Sequence, residues 1–190
     1  MGQRCRSVAP ARWMNPASDP VIIPDHHIRR LCESGLVSPF DPDLINPASL
    51  DVRLGGTLLI ESAASPELVP YPLDRHDEAE PFWLRPGQFV LADTLEAFSM
   101  PDDVAGEFRL KSSRAREGLD QALAVWLDPG WHGSVLTMEI RNNRQLHPIP
   151  LWPGRRIGQI ILHLMATPPE RSYRETGRYN GDQAVAASKG

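Results

Sequence analysis

The sequence predicts an all-β domain with one or two short helices, and three observations predict it. Nineteen prolines and fourteen glycines lie scattered between short apolar runs, and prolines placed that way punctuate strands and loops. Several of those runs alternate apolar and polar residues with the period of a half-buried strand. Only two stretches read as helix, one ahead of the strands and one inside 112–118, which leaves a barrel or sandwich as the architecture.

A chain of 190 residues suits one domain with its own core. Its 41% hydrophobic and 23% charged residues fit an ordinary soluble protein. The net charge is -4 and no basic stripe is present, which argues against nucleic acid and membrane surfaces as partners. No window approaches the roughly 18 apolar residues of a membrane span. Cys5 and Cys32 form no CxxC pair, so neither a disulfide framework nor a structural zinc site is expected, and a reducing cytoplasm is the expected location. Residues 1–20 lack the apolar centre of a signal peptide, and Arg6 spoils a myristoylation signal. They read as a disordered or loosely docked extension before a β domain over 21–168, and residues 169–190 read as a tail of low packing potential.

In chain order, Asp25 is expected to cap a helix over DHHIRRLCESG, with Ile28, Leu31 and Cys32 on one face and Gly35 as the stop. His26 and His27 then belong to the helix start and not to a metal site. SLDVRLGGTLLIES reads as a strand pair or a bulged strand, irregular at Gly55 and Gly56. Residues 63–81 are polar, proline-containing and aperiodic, hence a loop. PFWLRPGQFVLADTLEAFSMP gives two short strands around Pro86 and Gly87, followed by a turn at Pro101, Asp102 and Asp103. Residues 105–110 alternate as a strand. Residues 142–145 read as a hairpin loop, HPIPLW as an edge strand, and RRIGQIILHLM as a strong strand after Pro153 and Gly154.

Chemistry concentrates in LKSSRAREGLDQALAVWLDPGWHGSVLTME. Lys111, Ser112, Ser113, Arg114 and Arg116 crowd cations and hydroxyls where a strand turns into a helix, which is how an anion is held. The same run also reads as a solvated basic turn. Within SVLTMEI, Val135, Thr137 and Glu139 share one face, with Leu136, Met138 and Ile140 on the other. A carboxylate among apolar neighbours has its charged form disfavoured, and such tuned acids cluster at working sites. The alternative is a strand glutamate facing water or an arginine.

KSSRAREGL, DPGWHG, LTMEIRN and LWPGRRIGQ, in that order, resemble the dCTP deaminases of the dUTPase-like superfamily, whose phosphate-site motif is RSSxxRxGL. PFDPDLINPASLDVRLG, PGQFVLADTLE and the tail YRETGRYNGDQAVAAS extend the likeness over about residues 22–188. The resemblance implies a distorted jelly-roll or β-barrel of the dUTPase-like fold. It also implies a homotrimer with active sites between subunits and a tail that folds over the nucleotide.

The implied reaction is hydrolysis of a cyclic amidine C–N bond, converting dCTP to dUTP and ammonia in pyrimidine deoxynucleotide supply. Glu139 is the implied proton shuttle. Ser112 and Arg116 hold the water and the base end of the pocket, and a backbone carbonyl at Ala124 helps fix the water. Asp128 lies near the sugar 3′-hydroxyl. Lys111, Ser113 and Gln159 are on the phosphate side, and Tyr173, Arg178 and Gln183 belong to the closing tail. Mg2+ would ride on the triphosphate rather than in a protein cage, and dTTP is the implied inhibitor. The chain lacks the HxE…PCxxC signature of zinc deaminases. Asp51 matches a nucleotide-placing aspartate of dUTPases and also reads as a buried residue fixing a turn, and Asp128 also reads as the opener of a turn at Pro129 and Gly130.

Three departures stand out. Lys111 replaces the usual arginine and loses its bidentate fork. Trp126 stands where many members have an arginine, and packs a pocket wall instead of holding phosphate. One residue fewer between Arg116 and Asp128 is offset by one more between Gly133 and Glu139, which calls for a bulge. Alternatives to simple deamination are a bifunctional deaminase and dUTPase, a deaminase of modified pyrimidine nucleotides, and a catalytically silent nucleotide-binding trimer.

Overall fold

The computed structural model describes residues 21–122, 124 and 126–190. The expected extension over residues 1–20, with Cys5 and Arg6, lies outside them. The chain opens with α1 (Asp25–Glu33), β1 (Val37–Ser38), a 3-10 turn at Pro42–Leu44 and β2 (Ile45–Asn46). Then come β3 (Ser49–Ser62), β4 (Ser65–Pro72), β5 (Phe82–Leu84), β6 (Phe89–Ser99) and β7 (Val104–Leu110). After α2 (Ser112–Arg116) follow β8 (Leu119–Gln121), β9 (Trp126–Leu127), β10 (His132–Asn142), β11 (Ile149–Leu151), β12 (Arg156–Leu164) and α3 (Tyr173–Thr176).

β3 organises the sheet by changing partners along its length. Leu50 to Arg53 pair with β12, whereas Leu54 and Leu58 to Ile60 pair with β6. The register shifts between Leu54 and Leu58, at Gly55 and Gly56, as a bulge requires. A Cβ at Gly55 would stand 2.3 Å from Asp93 Oδ1, so the backbone approaches β6 more closely than any side chain allows. The resulting antiparallel path runs β8-β10-β6-β3-β12-β7-β9, with β1 on β6 and β2 and β4 on β3. Changing partners at the bulge curls this path around a core that includes Phe98, Phe108, Leu54, Leu58, Met138 and Ile160. α1 closes one end by burying Ile28, Leu31 and Cys32, the first two each worth about 1.5–3 kcal/mol in transfer from water.

The all-β expectation holds, with four local corrections. Asp25 is the first residue of α1 and not its cap, which is Pro24; its carboxylate accepts the His26 N–H at 2.7 Å. Residues 65–72 form β4 instead of a loop, because β3 offers the edge on which Pro70 and Pro72 sit opposite Leu59 and Thr57, and pairing overrode the aperiodic sequence. β11 does not return as a hairpin onto β10: it pairs with β5 in a separate two-stranded sheet, Pro150 opposite Trp83. Finally, the tail packs. Val135 N–H donates to the Asp182 carbonyl at 2.9 Å and Gly181 N–H to the His132 carbonyl at 3.1 Å, so the stretch expected to stay unpacked runs beside β10.

Candidate active site

β10 sets the central acid. Met138 and Ile140 enter the core while Thr137 and Glu139 face a cleft, the alternation expected of a strand. Leu136 departs from that alternation and lines the cleft as well. The β10 register against β6 shifts between His132 and Ser134 and again between Val135 and Thr137. The Leu136 N–H released there donates to Thr94 Oγ1 at 2.9 Å.

The cleft has a volume of about 640 Å3. Its walls are mostly aromatic and aliphatic, with Leu91, Trp126, Trp131 and Tyr179 among them, and its acids are Glu139, Asp128 and Asp182. Among the described residues no lysine or arginine lines it. Glu139 is half-buried, and its Oε2 has no hydrogen-bond partner. Burial pushes its carboxyl above the ordinary range, opposed by hydrogen bonds from its own backbone and the Gln121 side chain. Gln121 stands opposite Ile140 in the β8–β10 ladder, and Ala122 N–H donates to the Glu139 carbonyl at 3.0 Å.

Asp128 faces the cleft and also opens a turn, since Trp131 N–H returns to its carbonyl at 3.1 Å and Gly130 has φ +84°. With Pro129 and a positive-φ glycine at the two central positions this is a type II turn, so Asp128 opens a turn while lining the cleft. The turn anchors α3, because Tyr173 N–H donates to the Pro129 carbonyl at 3.1 Å and Ser172 Oγ donates to Asp102. From there the tail crosses the cleft. Tyr179 O accepts from Trp131 Nε1 at 2.9 Å and Ser134 Oγ at 2.7 Å. Lys189 Nζ neutralises Asp182 at 2.6 and 2.8 Å.

The other expected residues gather elsewhere. Asp51, fully buried, receives Lys111 Nζ at 2.6 Å on each oxygen and Asn46 Nδ2 at 2.7 Å, with Arg156 Nη1 at 3.6 Å. Gln159, opposite Asp51 in the ladder, accepts from Ser49 Oγ at 2.9 Å. Ser112, Ser113 and Arg116 are exposed on α2, which follows Lys111 directly. Glu139, Ala124, Asp128 and Tyr173 therefore share the cleft, while Lys111, Gln159 and the α2 residues lie outside its walls. Arg178 and Gln183 are exposed on the tail and do not line the cleft; Gln183 Nε2 reaches the Gly133 carbonyl at 2.5 Å. Sequence reasoning assigned no role to Trp131, Tyr179 or Asp182, although the DPGW turn and the YNGD tail contain them.

Lys111 is paired with Asp51. Removing one partner of a buried ion pair leaves an uncompensated charge. Lys111→Met is expected to lower stability by about 2–4 kcal/mol, somewhat under the full penalty because Asn46 and Arg156 stay on the carboxylate. Chemical denaturation of the variant beside the parent chain measures this.

The cleft thus holds Glu139, with the hydroxyl-rich basic turn at α2 apart from it. A family model described as dCTP deaminase-like matches residues 22–165, and the chain belongs to that family. The "dCTP deaminase, dUMP-forming" of Acidothermus cellulolyticus is 40% identical over 183 residues, 89% of this chain and 95% of the relative. The protein of the same description from Streptomyces coelicolor is 39% identical over 183 residues, with the same two coverages of 89% and 95%. Among solved structures, the 2′-deoxycytidine 5′-triphosphate deaminase of Agrobacterium tumefaciens superposes with a TM-score of 0.62 at 24% identity. That superposition covers 75% of this chain and 47% of the other, so the chain spans about half its length; the likeness bears on the fold.

Proposed function

We propose that the chain deaminates dCTP by hydrolysis at cytosine carbon 4. The observation that carries this is Glu139, a carboxyl raised by burial, with one oxygen free of hydrogen bonds, on the wall of an apolar cleft of a dCTP deaminase-like chain. Ionised Glu139 takes a proton from water as its oxygen bonds to carbon 4. The proton passes to ring nitrogen 3, and a second transfer through Glu139 protonates the amino group, which leaves as ammonia while the carbonyl forms. A carboxyl tuned towards neutrality serves both as base and as acid. Ala124, Ser112 and Arg116 hold the water and base, and Asp128 the 3′-hydroxyl. Lys111, Ser113 and Gln159 take the phosphate side, and Tyr173, Arg178 and Gln183 close the tail over it.

The cleft's acids repel a triphosphate, so cations must come from outside its walls. In a homotrimer with sites between subunits, the basic turn around α2 of a second copy supplies them, with Arg116 at the base end of the pocket. Among the described residues no group of three or more His, Cys, Asp or Glu side chains is placed to hold a metal ion. Mg2+ rides on the phosphate oxygens, and dTTP, sharing the triphosphate and deoxyribose, competes for the site. The reaction belongs to cytoplasmic pyrimidine deoxynucleotide supply.

A second reading is favoured by one observation: the relatives carry the description dUMP-forming. Under it, dUTP formed in the cleft is hydrolysed before release, giving dUMP, ammonia and diphosphate, with Asp128 beside Glu139 as the further acid. Mass analysis after incubation with dCTP and Mg2+ decides. A one-dalton gain with the triphosphate intact supports simple deamination, and dUMP with diphosphate supports the second reading. Unchanged dCTP overturns both and leaves modified pyrimidine nucleotides or silent binding. The acid limb of kcat/KM is expected above pH 4.5, the ordinary value for glutamate, since protonating Glu139 removes the base and burial raises its pKa.

A further inference from the structure

A second cavity lies apart from the cleft, between the turn at Pro86 and Gly87 and the stretch 141–145 at the end of β10. Its volume is about 270 Å3, under the roughly 300 Å3 at which pockets for whole organic ligands begin. Among the described residues Arg141 and Arg144 both line it and no acid does. The ion pairs of the described residues include neither guanidinium. Asp120, opposite Arg141 in the β8–β10 ladder, accepts Asn143 Nδ2 at 2.8 Å and stays outside the cavity walls.

A basic loop is ordinarily a solvated face, but this one is built. Asn142 is fully buried. Its side chain donates to the Leu84 carbonyl at 2.9 Å and the His147 carbonyl at 3.1 Å, and accepts the Arg144 N–H at 2.8 Å. Its backbone ties in the facing turn, accepting from Gly87 N–H at 2.8 Å and donating to the Gln88 carbonyl at 3.2 Å. Asn143 N–H donates to the Gly118 carbonyl at 2.9 Å. The stem of Arg144 lies so close over Gly118 that a Cβ there would stand 2.4 Å from its Cγ. Arg141 is held in β10, opposite Phe89 on one side and Asp120 on the other. Both walls and the root of each arginine are therefore fixed by the fold. Two like charges held on one small cavity repel each other, a cost that an anion between them removes.

We propose that this cavity is a second anion site, taking a small phosphate-class oxyanion, inorganic phosphate or diphosphate, between the Arg141 and Arg144 guanidinium groups. A guanidinium presents a planar fork that matches phosphate oxygens, and Gln145 lines the same cavity with a neutral amide. The site is independent of the dCTP reading, which concerns Glu139 and the cleft.

Calorimetric titration of the full chain with inorganic phosphate and with diphosphate at low ionic strength tests this, with acetate as the control anion. It is repeated on Arg141→Gln, Arg144→Gln, the double variant and Arg116→Ala, with a thermal melt of each. Phosphate is expected to bind the parent chain and to raise its melting temperature. Each single glutamine change is expected to weaken that binding at least about tenfold, the loss typical of a charge-assisted hydrogen bond, and the double change to abolish it. Arg116→Ala, on α2 outside the cavity, is expected to keep it. Arg141→Lys and Arg144→Lys, which retain the charge and lose the fork, carry the test if a glutamine variant fails to melt cooperatively, and are expected to bind phosphate more weakly than the parent. Binding that persists in the folded double variant, or that Arg116→Ala removes, overturns the proposal. Acetate binding as well as phosphate, or saturation only at the concentrations of a crystallisation buffer, marks an adventitious ion only and overturns it too.

Discussion

Glu139→Gln is expected to lose ammonia release from dCTP by a factor of about 10²–10⁴ and, at neutral pH, to be more stable than the parent chain. The first effect follows because the amide cannot accept the water's proton while filling the same space in β10. The second follows from the sign of the pKa shift. Burial raises the folded-state pKa of Glu139 above its ordinary value of 4.5, so between those two values the native state binds more protons than the unfolded chain. Stability therefore falls as pH rises through that window and stays lowered above it. Glutamine carries no such penalty. Urea denaturation of both chains at pH 4 and pH 7.5 should show the variant's advantage only at the higher pH. Loss of activity with lost stability would mean that Glu139 is a structural residue; retained activity would remove it from the mechanism.

The fold was legible where local pattern and tertiary demand agree. Ile28, Leu31 and Cys32 announce the buried face of α1, and Gly55 with Gly56 announces the bulge that re-pairs β3. Legibility failed where a partner decides. β4 carries prolines and polar residues and becomes a strand because β3 leaves an edge open to it. The tail fails the same way. Its composition looks unable to pack, yet Ser134 Oγ, the Gly133 carbonyl and Thr137 Oγ1 along β10 supply its hydrogen bonds. In the site, Glu139 and Asp128, singled out by motif order, line one cleft. No one-dimensional signal reported that Lys111 would be taken by Asp51, because that pairing spans sixty positions.

Mixing two inactive variants is expected to restore activity. Glu139 and Asp128 occupy a cleft whose described walls hold no lysine or arginine, while Ser112 and Arg116 stand exposed on α2 outside it. If the working site joins the cleft of one chain to α2 of another, Glu139→Gln and Arg116→Ala each spoil a different half. Each homotrimer then retains on the order of 1% of parent activity or less, the loss typical of removing a general base or an electrostatic anchor. Random assembly from equal amounts pairs an intact cleft with an intact α2 at about a quarter of the sites in a cyclic trimer. Refolding the two variants together and assaying dCTP turnover should recover about that fraction of parent activity, whereas mixing them without subunit exchange should recover nothing. If both halves came from one chain, no mixed trimer would contain an intact site, and co-refolded protein would stay as inactive as its parts.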